Sequence, residues 1–379
     1  MKITVAIDSF KGSISSAEAA EAVKEAIGSV LPSASVFSAL LADGGEGTAD
    51  ALLCALGGKK QRAEVTGPLG DRITAEYVIS PDNTAIIEMA SASGLTLVPE
   101  DKRDPLYTTT YGVGELIKDA SHLGARKFII GLGGSATNDG GAGMLSALGF
   151  RLLDASGEPI RRGAVGLSDL KKIDISGAIP ELSECSFTVA SDVKNPLCGE
   201  LGASRVFGPQ KGATPESIDA MDAWLDNFAN LAEKTLGVSC ACDEGAGAAG
   251  GLGFAFKAFL GAKQTAGIDL VISLSGLENE IANSDLVITG EGMLDGQSGM
   301  GKAPIGIARL AKKYGKPVIA FCGAVGKGAE SLNELGIDAY FPITQRPCTL
   351  SEAMDKQSAK ENLYKTAKQA LRLFAFGQM

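Results

Sequence analysis

The stretch MKITVAIDSFKGSISSAEAAEAVKEAI, residues 1–27, decides the fold class. Residues 2–8 form a largely apolar run, which is typical of a strand buried on both faces of a parallel sheet. We expect a helix from about residue 15, because Ser15 and Glu18 have the spacing of a capping box and apolar residues then recur every three or four positions. A buried strand, a short loop and a helix in this order predict an open α/β sheet.

The same rhythm of strands and helices flanks a long central segment. Strand 35–41 and helix 48–57 follow the first helix, and the parallel pattern returns near residue 284. From there we expect strands at 285–289, 316–322 and 338–343, and helices at 303–314, 328–335 and 351–375. Residues 1–62 and 284–379 are therefore predicted to form one discontinuous domain with a Rossmann- or flavodoxin-like parallel sheet.

The pattern changes in the central segment, residues 63–283. RAEVTGPLGDRITAEYVIS contains two alternating runs around GPLGD, which indicate a hairpin, and NTAIIEMA supplies a further strand. A helix is expected over 213–236, because Thr214 and Pro215 suit the first positions of a helix. We expect residues 63–283 to form an inserted domain of mixed α/β structure.

The composition excludes several classes of function. The chain has 379 residues, a net charge of −10 and no block of Lys and Arg, which argues against nucleic acid or an anionic membrane as a partner. No apolar stretch reaches the ~20 residues of a membrane span, and the first residues are not a basic, apolar leader, so we expect a cytoplasmic protein. The seven cysteines are irregularly spaced and are expected to be reduced. With His122 as the only histidine, a Ser-His-Asp triad and a His-rich metal site are poor hypotheses.

Glycine-rich polar loops follow five of the apolar runs, and 49 glycines stand out in the composition. The loops are DSFKGS (8–13), DGGEGT (43–48), GLGGSATNDGGAG (131–143), SDVKNPL (191–197) and TGEGMLDGQSGMGKAP (289–304). Backbone N–H groups in such turns bind phosphate, and carboxylate oxygens bind Mg²⁺. Together the loops predict a site for a polyanion and a divalent metal.

The first two loops carry acids and a lysine at strand ends. Asp8 ends the first strand, where open α/β sheets place their ligands, and Lys11 precedes a helix, from which it can reach a phosphate or a carboxylate. Asp43 and Glu46 could hold Mg²⁺ or orient a hydroxyl group. An ordinary acidic turn is an equally good interpretation of the second loop.

The third loop matches G-x-G-x-x-A from Gly131, and Asp154 lies at about the distance expected of a dinucleotide-binding acid. No long helix is predicted directly behind the loop, however. Its hydroxyl and N–H groups better suit a phosphate or a small carboxylate.

In the last two loops, acids and cations stand close together. Asp192, Lys194 and Asn195 could act as proton acceptor, charge neutraliser and orienting group, although a polar turn before proline is the alternative. Residues 296–302 read G-x-x-x-x-G-K, but Ala303 stands where a Walker A motif needs Ser or Thr, so we reject that motif. The remaining candidates of this loop are carboxylates and phosphate contacts: Glu291, Asp295, Gln297, Ser298 and Lys302.

In this order and spacing, the five loops resemble those of bacterial glycerate kinases that lack a P-loop. The resemblance extends over essentially the whole chain. It implies ATP-dependent phosphorylation of D-glycerate by a two-domain α/β enzyme, a monomer or homodimer, with the active site in the cleft between its domains. The implied product is 2-phosphoglycerate, with 3-phosphoglycerate as the alternative.

Phosphoryl transfer requires mainly positioning and charge stabilisation, and the candidate residues suit these roles. Mg²⁺ would be held by Asp192, Glu291 and Asp295, while Lys11 and Lys194 would stabilise charge and Asp192 is the favoured base. The expected substrate contacts are Asp8, Asp43, Glu46, Ser135, Thr137, Asn138 and Asn195. The expected nucleotide contacts are Gly290, Glu291, Gln297, Ser298 and Lys302.

Two other functions remain open at this point. An NAD-dependent dehydrogenase of a small hydroxy acid would use GLGGSA and Asp154, and would bind NADH in place of Mg-ATP. A non-catalytic sensor of a phosphorylated metabolite would consume no ATP in the presence of glycerate.

Overall fold

A computed structural model describes residues 1–42, 44–296, 298–300 and 302–377. The strands are β1 Lys2–Ile7, β2 Ser35–Leu40, β3 Lys59–Thr66, β4 Arg72–Ile79, β5 Thr84–Glu88, β6 Lys127–Gly131, β7 Arg151–Leu153, β8 Lys172–Asp174, β9 Ser186–Ala190, β10 Lys263–Thr265, β11 Leu286–Leu294, β12 Val318–Val325 and β13 Ala339–Pro342. The α-helices are α1 Ser16–Val30, α2 Thr48–Leu56, α3 Ala90–Ser93, α4 Tyr111–His122, α5 Ala142–Ala147, α6 Ala203–Phe207, α7 Pro215–Leu236, α8 Ala248–Leu260, α9 Gly267–Ser275, α10 Leu277–Ala282, α11 Ala303–Lys313, α12 Leu350–Met354 and α13 Lys356–Phe376. Within these ranges no helix has both the length and the apolar character needed to cross a membrane.

Unit 1 is one of two compact units and comprises Met1–Asp43, Asp50–Leu56 and Ile268–Met379. Its five strands form a sheet in the order β13-β12-β11-β1-β2, and every neighbouring pair is parallel. Counted along the unit, this is the order 2-1-3-4-5 of flavodoxin-like sheets, which reverses direction between β1 and β11. The predicted α/β class and parallel sheet are confirmed.

One core cluster of unit 1 lies between this sheet and the helices α1 and α13. Ala19, Val23 and Ile27 of α1 are buried in the same cluster as Leu363 and Leu371 of α13 and the apolar residues of β1 and β11. The predicted capping box starts α1, since the Ser15 side chain accepts a hydrogen bond from the Glu18 N–H and the Glu18 carboxylate accepts one from the Ser15 N–H. Because β1 and α1 are both held in this core, the loop that joins them is fixed at its two ends.

Unit 2 comprises Gly44–Ala49 and Gly57–Gly267. Its main sheet has the order β10-β9-β6-β5-β4-β3. The predicted hairpin is confirmed as the antiparallel pair β3 and β4, and β5, β6, β9 and β10 pair in parallel. Its core is buried between this sheet and helices that include α4, α7 and α8. Loops 131–143 and 191–197 therefore leave parallel strands at the same edge of the sheet.

Several predicted elements differ from those observed. A 3₁₀ turn, Ala329–Leu332, replaces the predicted helix 328–335, and the predicted last helix is divided at Asp355, whose side chain caps α13. No sequence pattern indicated α8, because its first turn contains the left-handed residues Ala249, Gly250 and Gly251. The predicted domain ranges stay a prediction. The compact units differ from them in placing 44–49 and 57–62 in unit 2 and 268–283 in unit 1.

Candidate active site

In unit 1, the candidate residues collect at the carboxyl ends of β1 and β11, where the strand order reverses. Asp8 directly follows β1, and its N–H donates to the Gly290 carbonyl at 2.9 Å. The Asp8 side chain is 6% exposed and accepts a hydrogen bond from the Ser9 N–H at 2.7 Å. Open α/β sheets bind their ligands at this kind of reversal. Position therefore favours Asp8 and its neighbours on β11 as ligand contacts.

Glu291 is a buried carboxylate in the middle of this group. It lies within β11, is 8% exposed, and accepts a hydrogen bond from Ser298 Oγ at 2.5 Å. Lys302 Nζ lies 3.8 Å from Glu291 Oε2. Burial raises the Glu291 pKa, the Ser298 hydrogen bond and the charges of Lys302 and Lys11 lower it, and the charge of Asp295 raises it. Two acids and two lysines of the predicted site thus act on one another electrostatically.

The turn between β11 and α11 fixes Asp295 and Ser298. The Ser298 N–H donates to Asp295 Oδ1 at 3.0 Å, and the Asp295 N–H donates to Ser298 Oγ at 3.2 Å. The Ser298 hydroxyl donates to Glu291, so it serves to orient that acid. Lys302 is the N-cap residue of α11, whose first N–H groups suit an anion. The predictions at Asp43 and Gln297 lie outside the described residues.

A magnesium ion can be tested against this chemistry. Among the described residues, no group of three or more His, Cys, Asp or Glu side chains could hold a metal ion. Glu291 and Asp295 are nevertheless two carboxylates whose like charges a cation would offset. Mg²⁺ is commonly bound by one or two carboxylates, with water and substrate phosphates completing its shell. The chemistry of the pair is compatible with magnesium bound together with a nucleotide, and the predicted ligand set of Asp192, Glu291 and Asp295 stays a prediction.

In unit 2, the turn after Asp43 packs directly on the GLGGSA loop. A Cβ on Gly133 would lie 2.3 Å from Gly45 Cα, and a Cβ on Gly44 would lie 2.6 Å from the Ala190 carbonyl oxygen. Real Cβ atoms do not approach so closely, so these glycines allow backbone to meet backbone. Residues 44–46, the GLGGSA loop and the end of β9 are thereby brought together.

The SDVKNPL loop continues from β9. Asp192 is exposed, and its Oδ1 accepts a hydrogen bond from the Gly267 N–H at 3.0 Å. Lys194 is also exposed, and its Nζ lies 3.8 Å from Glu244. The side chain of Asn195 donates to the Leu201 carbonyl at 2.8 Å, so it holds the loop in shape. Asp192 and Lys194, together with the exposed Glu46, have side chains that a ligand in solution can reach.

The hydroxyl and amide groups of the third loop are more deeply buried than the sequence suggests. Ser135 is 8% exposed, whereas Thr137 and Asn138 have no exposed surface. Asn138 Nδ2 donates to Ser204 Oγ at 2.8 Å. Thr137 Oγ1 and Asn138 Oδ1 are buried without a hydrogen-bond partner in the described part of the chain. Of the three predicted contacts, Ser135 is the least deeply buried.

Sequence reasoning missed two buried charges behind this loop. Asp139 accepts hydrogen bonds from the N–H groups of Thr110, Gly141 and Gly143, and burial raises its pKa. Lys211 Nζ donates to Ser135 Oγ at 2.8 Å and to the Thr137 carbonyl at 2.6 Å. The available signal was a lysine between Pro209 and Gly212 in FGPQKGAT, which marks a turn but gives no sign of burial.

Comparison with known proteins identifies the family. The glycerate kinase family matches residues 3–375. The chain belongs to the glycerate kinase family. A glycerate kinase from Haemophilus influenzae is 48% identical, with 99% of each chain covered. A glycerate 2-kinase from Escherichia coli is 48% identical, with 100% of this chain and 99% of the relative covered. A crystal structure from Salmonella typhimurium LT2, assigned as glycerate kinase 2, matches with a TM-score of 0.88 and 48% identity over 100% of this chain and 99% of its own.

Membership of the glycerate kinase family settles the class of reaction. The chain is a phosphotransferase that acts on an alcohol group, as the sequence predicted. The dehydrogenase alternative is therefore wrong. The structure supplies a physical reason, because the helix after GLGGSA is the six-residue α5, which is too short for a dinucleotide-binding unit.

Proposed function

We propose that this glycerate kinase transfers the γ-phosphoryl group of ATP to the 2-hydroxyl group of D-glycerate. The observation that carries the nucleotide assignment is the buried Glu291, which interacts with Asp295, Lys11 and Lys302 where the strand order of unit 1 reverses. The identity to a relative named glycerate 2-kinase supports the 2-phosphoglycerate product.

The proposal assigns the nucleotide to unit 1. Lys302 and the N–H groups that begin α11 would bind phosphate oxygens, and Lys11 would stabilise charge on the transferring group. Glu291 and Asp295 would hold Mg²⁺, which supplies charge neutralisation on the phosphates. Gly290 allows β11 and β12 to approach closely at this point, since a Cβ at this position would lie 2.1 Å from the Phe321 carbonyl oxygen.

Glycerate is assigned mainly to the loops of unit 2. Ser135 and Lys194 would bind anionic oxygens, and Glu46 would accept a hydrogen bond from a glycerate hydroxyl. Asp192 is the proposed base for the attacking hydroxyl, because it is an exposed carboxylate at the end of a parallel strand. In this role Asp192 would receive a proton, so it would not serve as a full magnesium ligand at the same time.

Phosphorus NMR of the product tests this proposal. Purified protein is incubated with ATP, Mg²⁺ and either D- or L-glycerate, with a reaction lacking glycerate as the control for ATP hydrolysis. The phosphorus of 2-phosphoglycerate couples to one carbinol proton and that of 3-phosphoglycerate to two. A doublet that forms with D-glycerate supports the proposal. A triplet, or transfer only to L-glycerate, would contradict it.

A further inference from the structure

Lys211 is a lysine enclosed in unit 2. It ends the 3₁₀ turn Pro209–Lys211, it is 2% exposed, and Gly212 follows with a φ of +92°. Lysine is almost never fully buried unless it is paired, because removal of its charge from water is unfavourable. Packing alone would favour an apolar side chain at such a buried position. Its presence therefore calls for a role other than packing.

The surroundings of Lys211 explain which protonation states are open to it. Burial lowers its pKa to about 7, and the charge of the nearby Asp139 acts in the opposite direction. Arg103 lies on the segment packed against the same turn, since a Cβ on Gly212 would meet the Arg103 backbone. A further negative charge near Lys211 would favour the ammonium form. Binding of an anion next to Lys211 and protonation of Lys211 thus reinforce each other.

The hydrogen bonds of Lys211 have a defined direction. Nζ donates to Ser135 Oγ, so the Ser135 oxygen acts as the acceptor and its hydroxyl hydrogen stays available for another acceptor. Ser135 is 8% exposed and Lys211 is 2% exposed, so the serine is the less deeply buried of the two. A cation that donates to a hydroxyl also strengthens that hydroxyl as a donor.

A second feature of the same loop is a pair of buried polar atoms without hydrogen-bond partners in the described part of the chain. Thr137, whose carbonyl accepts from Lys211, has a buried Oγ1 with no hydrogen-bond partner among the described residues, and so does Asn138 Oδ1. Buried polar atoms are rarely left unpaired in a folded protein. The loop therefore has hydrogen-bonding capacity beyond what its own fold uses.

We propose that Lys211 is a positioning residue. It orients the Ser135 hydroxyl and polarises it, so that the hydroxyl donates a stronger hydrogen bond to an anionic oxygen of the substrate. That oxygen belongs to the carboxylate of glycerate or to a phosphate of ATP. The inference rests on the proposed function, because it identifies the anion site of that reaction.

The test compares Lys211→Met, Ser135→Ala and the double variant with wild type and with Lys234→Met. Lys234 is an exposed lysine of α7 in the same unit, so its replacement changes the net charge equally. For each protein, kcat and the separate KM values for D-glycerate and Mg-ATP are measured. The KM for D-glycerate is also compared with the inhibition constant of glyceramide, its neutral amide. A purely structural role of Lys211 would not alter the preference for the charged ligand.

We expect each single variant to raise the KM of one substrate about tenfold or more, as for loss of a hydrogen bond to a charged group, and Lys234→Met to match wild type. The double variant should be no worse than the weaker-binding single variant, because both act through one hydroxyl. A raised KM for glycerate with a lost preference over glyceramide identifies the carboxylate. A raised KM for Mg-ATP alone identifies the phosphate.

Unchanged KM values for both substrates, or additive effects of the two substitutions, would overturn the proposal. If Lys211→Met does not fold, the pH dependence of the KM values of wild type and Ser135→Ala decides. The proposal requires the affected KM of wild type to rise as Lys211 loses its proton above about pH 7, and requires this rise to be absent in Ser135→Ala. Wild-type protein that transfers no phosphate to glycerate would overturn the proposed function and this inference with it. Normal transfer by wild type with unaltered variants would overturn this inference alone.

Discussion

At the scale of single residues, Glu291 shows how this fold holds a carboxylate away from water. Such a group is stable only where hydrogen bonds or cations compensate its lost hydration. Ser298 donates to it and Lys302 lies 3.8 Å away, yet burial still raises its pKa. Titratable groups in unfavourable surroundings are enriched at functional sites. The environment of Glu291 is thus a stronger sign of function than its place in an acidic loop.

Replacement of Lys11 by alanine should reduce kcat/KM by about 10²- to 10³-fold, because it removes a charge that stabilises the transferring group. Lys11 is exposed on the loop between β1 and α1, so the fold should persist by circular dichroism. Lys24→Ala is the matched control, an exposed lysine on α1 that pairs with Glu21. Near-wild-type turnover of the Lys11 variant would remove Lys11 from the mechanism.

Lys211 should make stability depend on pH above neutrality. Its pKa is lowered by burial from 10.5 to about 7, so between these values the unfolded chain holds a proton that the folded protein has lost. Unfolding then takes up a proton, and stability rises with pH across this window, by at most about 1.4 kcal/mol per pH unit. Below pH 7 the lysine is charged in both states and this slope vanishes.

The measurement is urea unfolding of wild type and of Lys211→Met at several pH values. The free energy of unfolding of wild type should rise relative to that of the variant from about pH 7 to about pH 10, because the variant lacks this proton. Parallel curves for the two proteins would show that Lys211 keeps its ordinary pKa.

At the scale of elements, β11 positions more of the site than the sequence indicated. The strand was predicted to end at residue 289 but continues to Leu294, with Glu291 paired to Cys322 and Met293 to Ala324 of β12. Gly290 therefore has paired neighbours on both sides, Ile7 of β1 and Phe321 of β12, whereas Glu291 is paired on the β12 side. The sequence did not reveal this, because glycines usually end a strand pattern.

Alanine at Gly133 and at Gly28 should change stability in opposite directions. A Cβ at Gly133 would lie 2.3 Å from Gly45 Cα, so Gly133→Ala must move one of two packed loops and should cost about 1–3 kcal/mol and most of the activity. Gly28 lies in α1 with no atom within 4 Å of an added Cβ. Gly28→Ala should stabilise by roughly 0.5–1 kcal/mol. Thermal denaturation and turnover of both variants check this, and equal effects would contradict it.

At the scale of the whole molecule, the sequence revealed what depends on local order and missed what depends on distant packing. Asp8, Lys11 and the capping box of α1 follow from one strand, loop and helix, so they could be located by inspection. The contact between Lys211 and Ser135 joins residues 76 positions apart and requires the whole of unit 2 to fold. Burial of Asn138 against Ser204 is non-local in the same way. Neither leaves a periodic or compositional signal.

Binding of ATP together with Mg²⁺ should raise the free energy of unfolding of the protein more than binding of ATP alone. A ligand at 100 times its Kd that binds only the folded state adds about 2.7 kcal/mol to the free energy of unfolding. We expect ATP with Mg²⁺ to raise the Tm by a few degrees, and ATP with EDTA to raise it less. In Glu291→Gln the magnesium-dependent part should be lost, because the amide cannot supply the charged oxygen that Mg²⁺ prefers. Glu334→Gln, an exposed acid of unit 1, should behave as wild type. A shift that EDTA leaves unchanged, or one that Glu291→Gln retains in full, would exclude Glu291 as a magnesium ligand.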